Sequence, residues 1–291
     1  MKSDFRNDLF KGKVILVTGG ATGIGFGICT QFGLHGAKIA MGGRRTAVLE
    51  NSCKALQSKG IQAVGFQCDV RDPAACINLV EKTIESYGRL DVLVNNAAGN
   101  FSVSAENLTS NGFKTVMDID LHGSFNMAKA ALPYLKVSGK GVIIHISATL
   151  QYKAFPFQMH ASAAKAGIDV MTNNLGVEWG TDYGIRTVSI APGPIENTVG
   201  GPGGRVFGTM AKMTGIEDKR LFVPLNRYGT VEDIANAAMF IASDAGGYIN
   251  ATQLVVDGGQ YHEASGRYLM MKKIMEDASN REKTMHKKSK L

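Results

Sequence analysis

The sequence predicts an α/β fold in which one doubly wound parallel sheet of seven strands is covered by helices on both faces. Seven short runs of the chain are almost continuously apolar, as is typical of strands buried on both faces. Longer segments with helical periodicity lie between those runs. Because strand and helix alternate along the chain, right-handed crossovers should bring the strands side by side and parallel.

The predicted elements follow one another without an internal repeat or a break in composition. We expect the strands at residues 13–17, 38–41, 63–67, 92–94, 141–146, 186–190 and 253–256. We expect the main helices at residues 23–34, 47–58, 73–87, 113–135, 158–179 and 231–243. A single domain over residues 1–260 therefore accounts for the alternating segments.

Two segments depart from the alternation. Residues 196–227 lie between a strand and a helix and are rich in Gly and Pro. An insertion of that length is more often a functional lid than an idle loop. Its apolar side chains Val206, Phe207 and Met210 either cover a bound apolar chain or pack on the body of the domain. Residues 261–291 follow the last strand and should form a short helix and a basic tail.

The composition excludes several classes of protein. A hydrophobic content of 44% and a charged content of 20% are typical of a globular chain with a large core. No apolar run reaches the length of a membrane span, and the first residues lack the apolar segment of a secretory signal. The net charge of +7 comes largely from residues 267–291, which hold eight basic and three acidic side chains. Because the rest of the chain is nearly neutral, we do not expect nucleic-acid binding.

The cysteines do not indicate a metal site. Their spacing along the chain does not match that of metal ligands, and all fall in predicted helices or strands or directly next to one. We expect the four cysteines to behave as small buried hydrophobic residues in a protein of a reducing compartment. The four are Cys29, Cys53, Cys68 and Cys76.

A glycine-rich turn joins the first predicted strand to the first helix. Its sequence is Thr18-Gly19-Gly20-Ala21-Thr22-Gly23-Ile24-Gly25. Glycine permits a tight turn, a close approach of the main chain to a pyrophosphate, and packing of helix on strand. The helix then offers unpaired N–H groups to the phosphate oxygens. The turn predicts a dinucleotide site that includes Thr18, Gly19, Ala21, Gly23, Ile24 and Gly25.

The end of the second predicted strand indicates which dinucleotide binds. Enzymes that use NAD place an acidic side chain there, on the ribose hydroxyls. This chain has Met41-Gly42-Gly43-Arg44-Arg45, with two guanidinium groups and no acid. A carboxylate would repel a 2′-phosphate, whereas arginine can bind it through two hydrogen bonds. We therefore expect NADP(H) on Arg44, with Arg45 either sharing in the binding or facing solvent.

Five motifs in this order resemble those of the short-chain dehydrogenase/reductase family. After the glycine turn come Asp69-Val70, Asn95-Asn96-Ala97-Ala98-Gly99, Ser147 and Pro192-Gly193-Pro194-Ile195. The resemblance covers about residues 10–260 and implies a Rossmann-type fold with a nicotinamide cofactor. The further cofactor contacts that it implies are Asp69, Val70, Asn96, Ala97, Ala98, Lys165, Pro192, Gly193, Pro194 and Ile195.

The predicted chemical site departs from the pattern of that family. Its members carry Tyr-x-x-x-Lys, in which the tyrosine exchanges a proton with the substrate oxygen and the lysine assists it. This chain keeps Lys165 and Ser147 but has Ala161 at the tyrosine position. Asp120 stands where the family carries a supporting asparagine. Ordinary exchange between alcohols and ketones is therefore not expected.

This combination resembles the 2,4-dienoyl-CoA reductases, and the runs Phe113–Asp120 and Ala97–Phe101 resemble their peroxisomal branch in particular. The resemblance implies reduction of 2,4-dienoyl-CoA to 3-enoyl-CoA with NADPH, in the degradation of unsaturated fatty acids. The final proton goes to carbon, so a phenol aimed at oxygen is dispensable. Donors that face the developing oxyanion, such as Lys165 and Ser147, are still required.

Several side chains are candidates for the proton transfer. Asp120 either holds a water that delivers the proton or simply pairs with Lys165. Tyr152 resembles a tyrosine of the mitochondrial branch and is either catalytic or an aromatic lining residue. His160 and His122 are weaker candidates, because most histidines in helical segments have structural roles.

The acyl-CoA site is implied mainly by the resemblance. Asn100, Phe101 and Ser102 follow the nicotinamide-side motif and should contact the acyl or pantetheine portion, while basic residues such as Arg44 meet the CoA phosphates. Relatives are mostly tetramers built on the helices predicted at 113–135 and 158–179. Two alternatives stay open. One is a reductase of 2-enoyl-CoA or 3-ketoacyl-CoA that uses Tyr152, and the other is a catalytically silent NADPH-binding scaffold.

The chain ends in Ser289, Lys290 and Leu291. This tripeptide matches the peroxisomal import signal, which an import receptor reads. The alternative is a basic tail on a cytosolic enzyme. Peroxisomes shorten unsaturated fatty acids, so the signal agrees with the implied reaction, and we expect a peroxisomal enzyme.

Overall fold

The computed structural model of the protein describes residues 5–198, 223–263 and 271. In that part of the chain, seven parallel strands form one sheet in the order β3-β2-β1-β4-β5-β6-β7. The strands are β1 (Val14–Thr18), β2 (Lys38–Gly43), β3 (Ala63–Gln67), β4 (Val92–Asn95), β5 (Val142–Ile146), β6 (Arg186–Pro192) and β7 (Thr252–Val256). The predicted doubly wound parallel sheet is confirmed. The strand order reverses between β1 and β4, and such a reversal leaves a crevice at the carboxyl ends of the strands.

Helices cover both faces of the sheet. They are α1 (Gly23–Leu34), α2 (Thr46–Gln57), α3 (Pro73–Tyr87), α4 (Ser110–Met117), α5 (Gly123–Ser138), α6 (Met159–Tyr183), α7 (Val231–Ala242) and α8 (Gln260–Glu263). Local sequence sets several of their ends. Asp72 accepts a hydrogen bond from the Ala74 N–H at the start of α3, and Gly88, with a φ of 77°, follows its end. Thr230 and Asp233 form a capping box at the start of α7.

The helix predicted over residues 113–135 differs from expectation. It begins earlier, and α4 passes into α5 through one π-helical turn, Asp118–His122. Such turns are frequent at functional sites. Here the turn places Asp120 in the interior at 1% exposure, whereas Asp118 and His122 lie toward the surface and pair with each other.

Two hydrophobic clusters lie on the two faces of the sheet. Along β1, Ile15 and Val17 belong to the cluster under α1, α2 and α7, whereas Leu16 belongs to the cluster under α3, α5 and α6. Burial of one such aliphatic side chain contributes roughly 1.5–3 kcal/mol. An exposed ion pair such as Lys140–Asp244 contributes about 1 kcal/mol or less. Packing of the two layers therefore holds the sheet.

The cysteines carry free thiols. Cys29, Cys68 and Cys76 are buried, and Cys53 is half-buried. Burial raises the pKa of the Cys29 thiol far above its usual value, so this thiol stays protonated. Within the described ranges, no group of His, Cys, Asp and Glu has the geometry of a metal site.

Some predictions fall on residues that the structure does not describe. These are the lid residues Val206, Phe207 and Met210, most of the basic tail, and the terminal Ser289, Lys290 and Leu291. Among the residues that are described, no helix has the length and apolar character needed to cross a membrane.

Candidate active site

The turn between β1 and α1 packs closely against the end of β4. Gly19 and Gly23 have positive φ angles of 62° and 54°, which favour glycine. A Cβ atom at Gly19 would lie 3.0 Å from Asn96 Nδ2. That nitrogen donates hydrogen bonds to the main-chain oxygens of Thr18 and Gly19, at 3.0 and 3.2 Å. Asn96 therefore holds the turn from the β4 side.

Two of the predicted cofactor residues support the turn without lining the cavity beside it. The Thr18 hydroxyl oxygen accepts hydrogen bonds from the N–H groups of Asn96 and Ala97, both at 3.0 Å. A Cβ atom at Gly25 would lie 2.5 Å from the main-chain oxygen of Gly19. Thr18 thus joins the ends of β1 and β4, and Gly25 allows α1 to pack against the turn.

The start of α1 fits a pyrophosphate. Thr22 precedes the helix, and its side chain makes no capping hydrogen bond. The first N–H groups of a helix lack partners within the helix, and the helix dipole favours an anion there. A Cβ atom at Gly23 would have only Thr198 within 4 Å, so the approach is open. This glycine cradle therefore suits the diphosphate of a dinucleotide.

A cavity of about 660 Å³ extends from this turn along the carboxyl ends of the central strands. Its volume lies within the range of roughly 300–1,000 Å³ that is usual for ligand sites. The predicted cofactor residues that line it are Gly19, Ala21, Gly23, Ile24, Arg44, Arg45, Asp69, Val70, Asn96, Ala97, Ala98, Lys165, Pro192, Gly193, Pro194 and Ile195. Asp120, Ser147 and Asn100 line it as well. Nucleotide and chemical residues therefore share one cavity.

The end of the cavity beside β2 is basic. Arg44 and Arg45 line it directly after β2. Asp69 lies at the same end, where Arg71 donates a hydrogen bond to Asp69 Oδ1 at 3.0 Å. The Arg71 guanidinium holds the pKa of the Asp69 carboxyl below its usual range. Asp69 is therefore ionised and paired, while Arg44 and Arg45 supply positive charge.

A buried ion pair occupies the opposite end. Lys165 Nζ lies 3.1 Å from Asp120 Oδ2, and the side chains are 10% and 2% exposed. Lys165 also donates a hydrogen bond to the main-chain oxygen of Ile146, at 2.9 Å. The Gly99 N–H donates to Asp120 Oδ1, at 2.7 Å. Each carboxylate oxygen thus has a donor, which offsets part of the cost of burying the charge.

Gln158 joins the loop after β4 to the start of α6. It is 1% exposed, and its Oε1 accepts a hydrogen bond from Asn100 Nδ2 at 2.7 Å. Its Nε2 donates to Ser102 Oγ at 3.2 Å. The Val103 N–H donates to the main-chain oxygen of Phe157, a residue with a positive φ of 66°. Gln158 lines the cavity, whereas Ser102 and Phe101 do not.

The chain is similar to known proteins over most of its length. A family model described as enoyl-(acyl carrier protein) reductase matches residues 19–261. The peroxisomal 2,4-dienoyl-CoA reductase of Arabidopsis thaliana, described as (3E)-enoyl-CoA-producing, is 50% identical over 89% of this chain and 88% of its own length. A crystal structure of a short chain dehydrogenase from Bacillus anthracis has a TM-score of 0.76 and 40% identity, over 87% of this chain and 98% of that one. The chain belongs to the short-chain dehydrogenase/reductase family.

Two further relatives carry related names. The peroxisomal 2,4-dienoyl-CoA reductase of Saccharomyces cerevisiae, also described as (3E)-enoyl-CoA-producing, is 44% identical over 90% of this chain and 88% of its own length. A probable 2,4-dienoyl-CoA reductase of Bacillus subtilis, described as (2E)-enoyl-CoA-producing, is 40% identical over 86% of this chain and 96% of its own. As a short-chain dehydrogenase/reductase, the chain uses a nicotinamide cofactor, which supplies or accepts a hydride.

For a short-chain dehydrogenase/reductase, the site is unusual at Ala161. This residue is 2% exposed and lines the cavity, where the resemblance places a tyrosine. The predicted alternative phenol, Tyr152, does not line the cavity. Its hydroxyl donates to Asp169 Oδ2 at 2.9 Å, and burial, followed by the Asp169 charge, raises its pKa well above the usual value. Tyr152 is therefore poorly placed to act as an acid in this short-chain reductase.

The two histidine candidates do not line the cavity. His160 is fully buried, and its ring stacks on Phe101 with centroids 4.4 Å apart. Burial lowers its pKa, so the imidazole is neutral at pH 7. His122 lies on the outer side of the π turn, 3.1 Å from Asp118. Sequence reasoning missed Gln158, because its partners Asn100 and Ser102 are distant along the chain.

Proposed function

We propose that this short-chain reductase converts 2,4-dienoyl-CoA to 3-enoyl-CoA with NADPH. The observation that carries the proposal is the buried Lys165–Asp120 pair facing a cavity in which Ala161 replaces the phenol. The names of the plant and yeast relatives, both (3E)-enoyl-CoA-producing, support the same reaction. A site without a phenolic acid suits a reaction whose final proton goes to carbon.

Bound NADPH would supply a hydride for C5 of the dienoyl thioester, and predicted cofactor residues that line the cavity, such as Asn96 and Lys165, would hold it. Negative charge then develops on the thioester oxygen, and addition of a proton at C2 leaves a double bond between C3 and C4. The Lys165 ammonium group and the Ser147 hydroxyl both line the cavity and are donors for the developing oxyanion. Because both groups are almost entirely buried, their effect on that charge is larger than it would be in water.

Asp120 has the position to hold a water that protonates the substrate. Its two oxygens are held by the Gly99 N–H and by Lys165, and each retains capacity for a further donor. A water bound to this carboxylate would lie in the same cavity and could pass a proton to C2, while the Lys165 ammonium group returns a proton to the remaining hydroxide and is reprotonated from solvent. Pairing with Lys165 and holding of water are therefore compatible roles for Asp120.

Asn100 and the two arginines complete the proposed binding. The Asn100 amide lines the cavity next to Gln158, where it would contact the acyl or pantetheine portion. Phe101 and Ser102, by contrast, would act by shaping the wall through His160 and Gln158. Arg44 and Arg45 favour NADPH over NADH, because a 2′-phosphate adds charge that they can neutralise.

One assay tests the reaction. Oxidation of NADPH is followed in absorbance with a 2,4-dienoyl-CoA, a 2-enoyl-CoA and a 3-ketoacyl-CoA, and the product is analysed for the position of its double bond. We expect turnover with the dienoyl-CoA alone and a 3-enoyl product. A 2-enoyl product would place the protonation at C4 instead. Turnover of the ketone, or of none of the three, would contradict the proposal.

We propose a peroxisomal location and a homotetramer. Relatives from a plant and a yeast are named peroxisomal, and Ser289, Lys290 and Leu291 are the predicted signal for the import receptor. Removal of these three residues should leave the enzyme in the cytosol, and unchanged import would contradict this role.

The proposed homotetramer rests on two helices. Phe125 on α5 and Val177 on α6, 48% and 62% exposed, give these helices apolar outer surfaces suited to self-association. Light scattering that gives a monomer mass would exclude the tetramer.

A further inference from the structure

A second buried carboxylate lies one helical turn after Lys165. Asp169 is 8% exposed, and no basic side chain in the described part of the chain forms an ion pair with it. Neutral donors surround it instead. Ser189 donates to Oδ1 at 2.9 Å, and Gln151 and Tyr152 donate to Oδ2 at 2.6 and 2.9 Å. These donors offset part of the cost of burying the carboxylate.

Asp169 fixes which end of the Gln151 amide faces it. An ionised carboxylate only accepts hydrogen bonds, so the amide atom at 2.6 Å must be the NH2 nitrogen. The opposite orientation would place Gln151 Oε1 against a second acceptor. In this orientation Gln151 Oε1 is buried and has no hydrogen-bond partner among the described residues.

The same nitrogen reaches the active-site serine. Gln151 Nε2 lies 3.1 Å from Ser147 Oγ. One hydrogen of the NH2 group is directed to Asp169, so the other is directed to Ser147, whose oxygen becomes an acceptor. The Ser147 hydroxyl proton is then available, because within the described ranges Ser147 Oγ donates to no residue. Ser147 lines the cavity, which is where that proton can find an acceptor.

We propose that Asp169, acting through Gln151, fixes the Ser147 hydroxyl as a hydrogen-bond donor to the thioester oxygen of the substrate. Gln151 and Asp169 are positioning residues, and neither has to touch the substrate. The inference rests on the proposed function, which supplies the thioester. It also gives Tyr152 and Ser189 a role, since their hydroxyls complete the donors that hold the Asp169 charge in place.

The predicted consequence is a specific order of activities. Gln151→Met keeps an unbranched side chain of similar length but lacks the donor, so the serine hydroxyl is no longer oriented. We expect kcat to fall about 10-fold, which is part of the roughly 100-fold that one oxyanion donor contributes. Gln151→Glu keeps the shape but presents an acceptor to Ser147, and it should lower kcat about as far as Ser147→Ala.

A double-mutant cycle separates this role from a general structural one. The kcat, the KM for dienoyl-CoA and the Kd of NADPH are measured for Gln151→Met, Ser147→Ala and the double variant. In the Ser147→Ala background, Gln151→Met should change kcat about twofold or less, because no hydroxyl remains to be oriented. A full 10-fold loss in both backgrounds would overturn the inference. Asp169→Asn should lower kcat in wild type and likewise lose most of its effect without the serine.

The matched control is Gln253→Met on β7. Gln253 Nε2 donates to the main-chain oxygen of Asp169 at 3.3 Å, but it does not touch the carboxylate. This change should leave kcat as it is in the wild type. If the enzyme reduces a 3-ketoacyl-CoA or a 2-enoyl-CoA instead, the proposed function fails. The double-mutant cycle is then run with that substrate, and its carbonyl oxygen is the acceptor for the Ser147 hydroxyl in place of the oxygen of the dienoyl thioester. An enzyme that reduces none of the three overturns both ideas.

Discussion

The two ends of the cavity are built in different ways. At the nucleotide end, the site consists mainly of main-chain groups. The turn with Gly19 and Gly23 is open to the ligand, and Arg44 and Arg45 line the cavity beside it. At the chemical end, buried polar side chains from three segments hold one another, as in Lys165 with Asp120. Main-chain geometry tolerates many substitutions nearby, whereas a buried polar network fails when one member is lost. The chemical end should therefore be the more sensitive of the two.

Removal of the Lys165 charge should give the largest effect. Lys165→Met eliminates a donor for the oxyanion and leaves Asp120 without its counter-ion. We expect kcat to fall about 100-fold or more, and the free energy of unfolding to fall by roughly 3–5 kcal/mol. Steady-state kinetics and urea unfolding measure the two quantities separately.

The double variant Lys165→Met with Asp120→Asn sharpens this result. It removes both charges, so most of the stability should return while kcat remains low. If the free energy of unfolding did not recover in the double variant, the pair would have a wider structural role. Activity near wild type in Lys165→Met would remove the lysine from the mechanism.

Asp120→Asn should have the next largest effect. Asparagine keeps the shape and can still accept from the Gly99 N–H, but it lacks the negative charge that holds the water and pairs with Lys165. We expect kcat to fall about 100-fold, the lower end of what groups that assist proton transfer contribute. The Kd of NADPH, measured by fluorescence, should stay within about twofold. Loss of NADPH binding would show that Asp120 is needed for the fold of the site.

The chemical end should also make stability depend on pH. Burial, followed by the Lys165 charge, lowers the pKa of His145 to about 3. The folded imidazole is therefore neutral, while the unfolded one takes up a proton below about pH 6.5. This contribution to stability is complete above pH 6.5 and is lost as the pH falls toward 3. Between pH 6.5 and 5 the loss amounts to about 2 kcal/mol.

Replacement of His145 checks the sign. His145→Gln keeps an acceptor for Asn95 Nδ2, which lies 3.2 Å from His145 Nδ1, but it does not titrate. The free energy of unfolding of this variant is measured by urea unfolding at one protein concentration. As the pH is lowered, it should fall less steeply than that of the wild type. Parallel curves between pH 5 and 8 would assign the acid sensitivity to other groups. The paired Asp69 at the nucleotide end is partly exposed and should add little.

The same contrast explains what could be predicted from the sequence. The nucleotide end follows from consecutive residues such as Gly19 to Gly25, and the strands follow from apolar runs, because both signals are local. The π turn was not predicted, since the helical pattern continues on both sides of Asp118–His122. Gln158 was not predicted either, because its partners become neighbours only when β4 and α6 meet.

The directions of the side chains in the loop after β4 were also not predicted correctly. Phe101 and Ser102 were predicted as substrate contacts because they follow Asn100. In the structure, Phe101 stacks on His160 and Ser102 bonds to Gln158, and neither lines the cavity. A loop has no fixed period, so position along it does not determine which way a side chain points.

The smallest expected effect lies at the nucleotide end and concerns cofactor choice. Arg44→Ala should weaken NADPH binding about 10-fold, the value of one hydrogen bond to a charged group, and should leave NADH binding nearly unchanged. Arg45→Ala is the matched variant, since both side chains line the cavity directly after β2. If Arg44 alone binds the 2′-phosphate, Arg45→Ala changes the ratio of the two Kd values by less than about twofold. If both variants weakened NADPH binding equally, the two arginines would share the 2′-phosphate without a bidentate contact. A bidentate contact depends on a single guanidinium group.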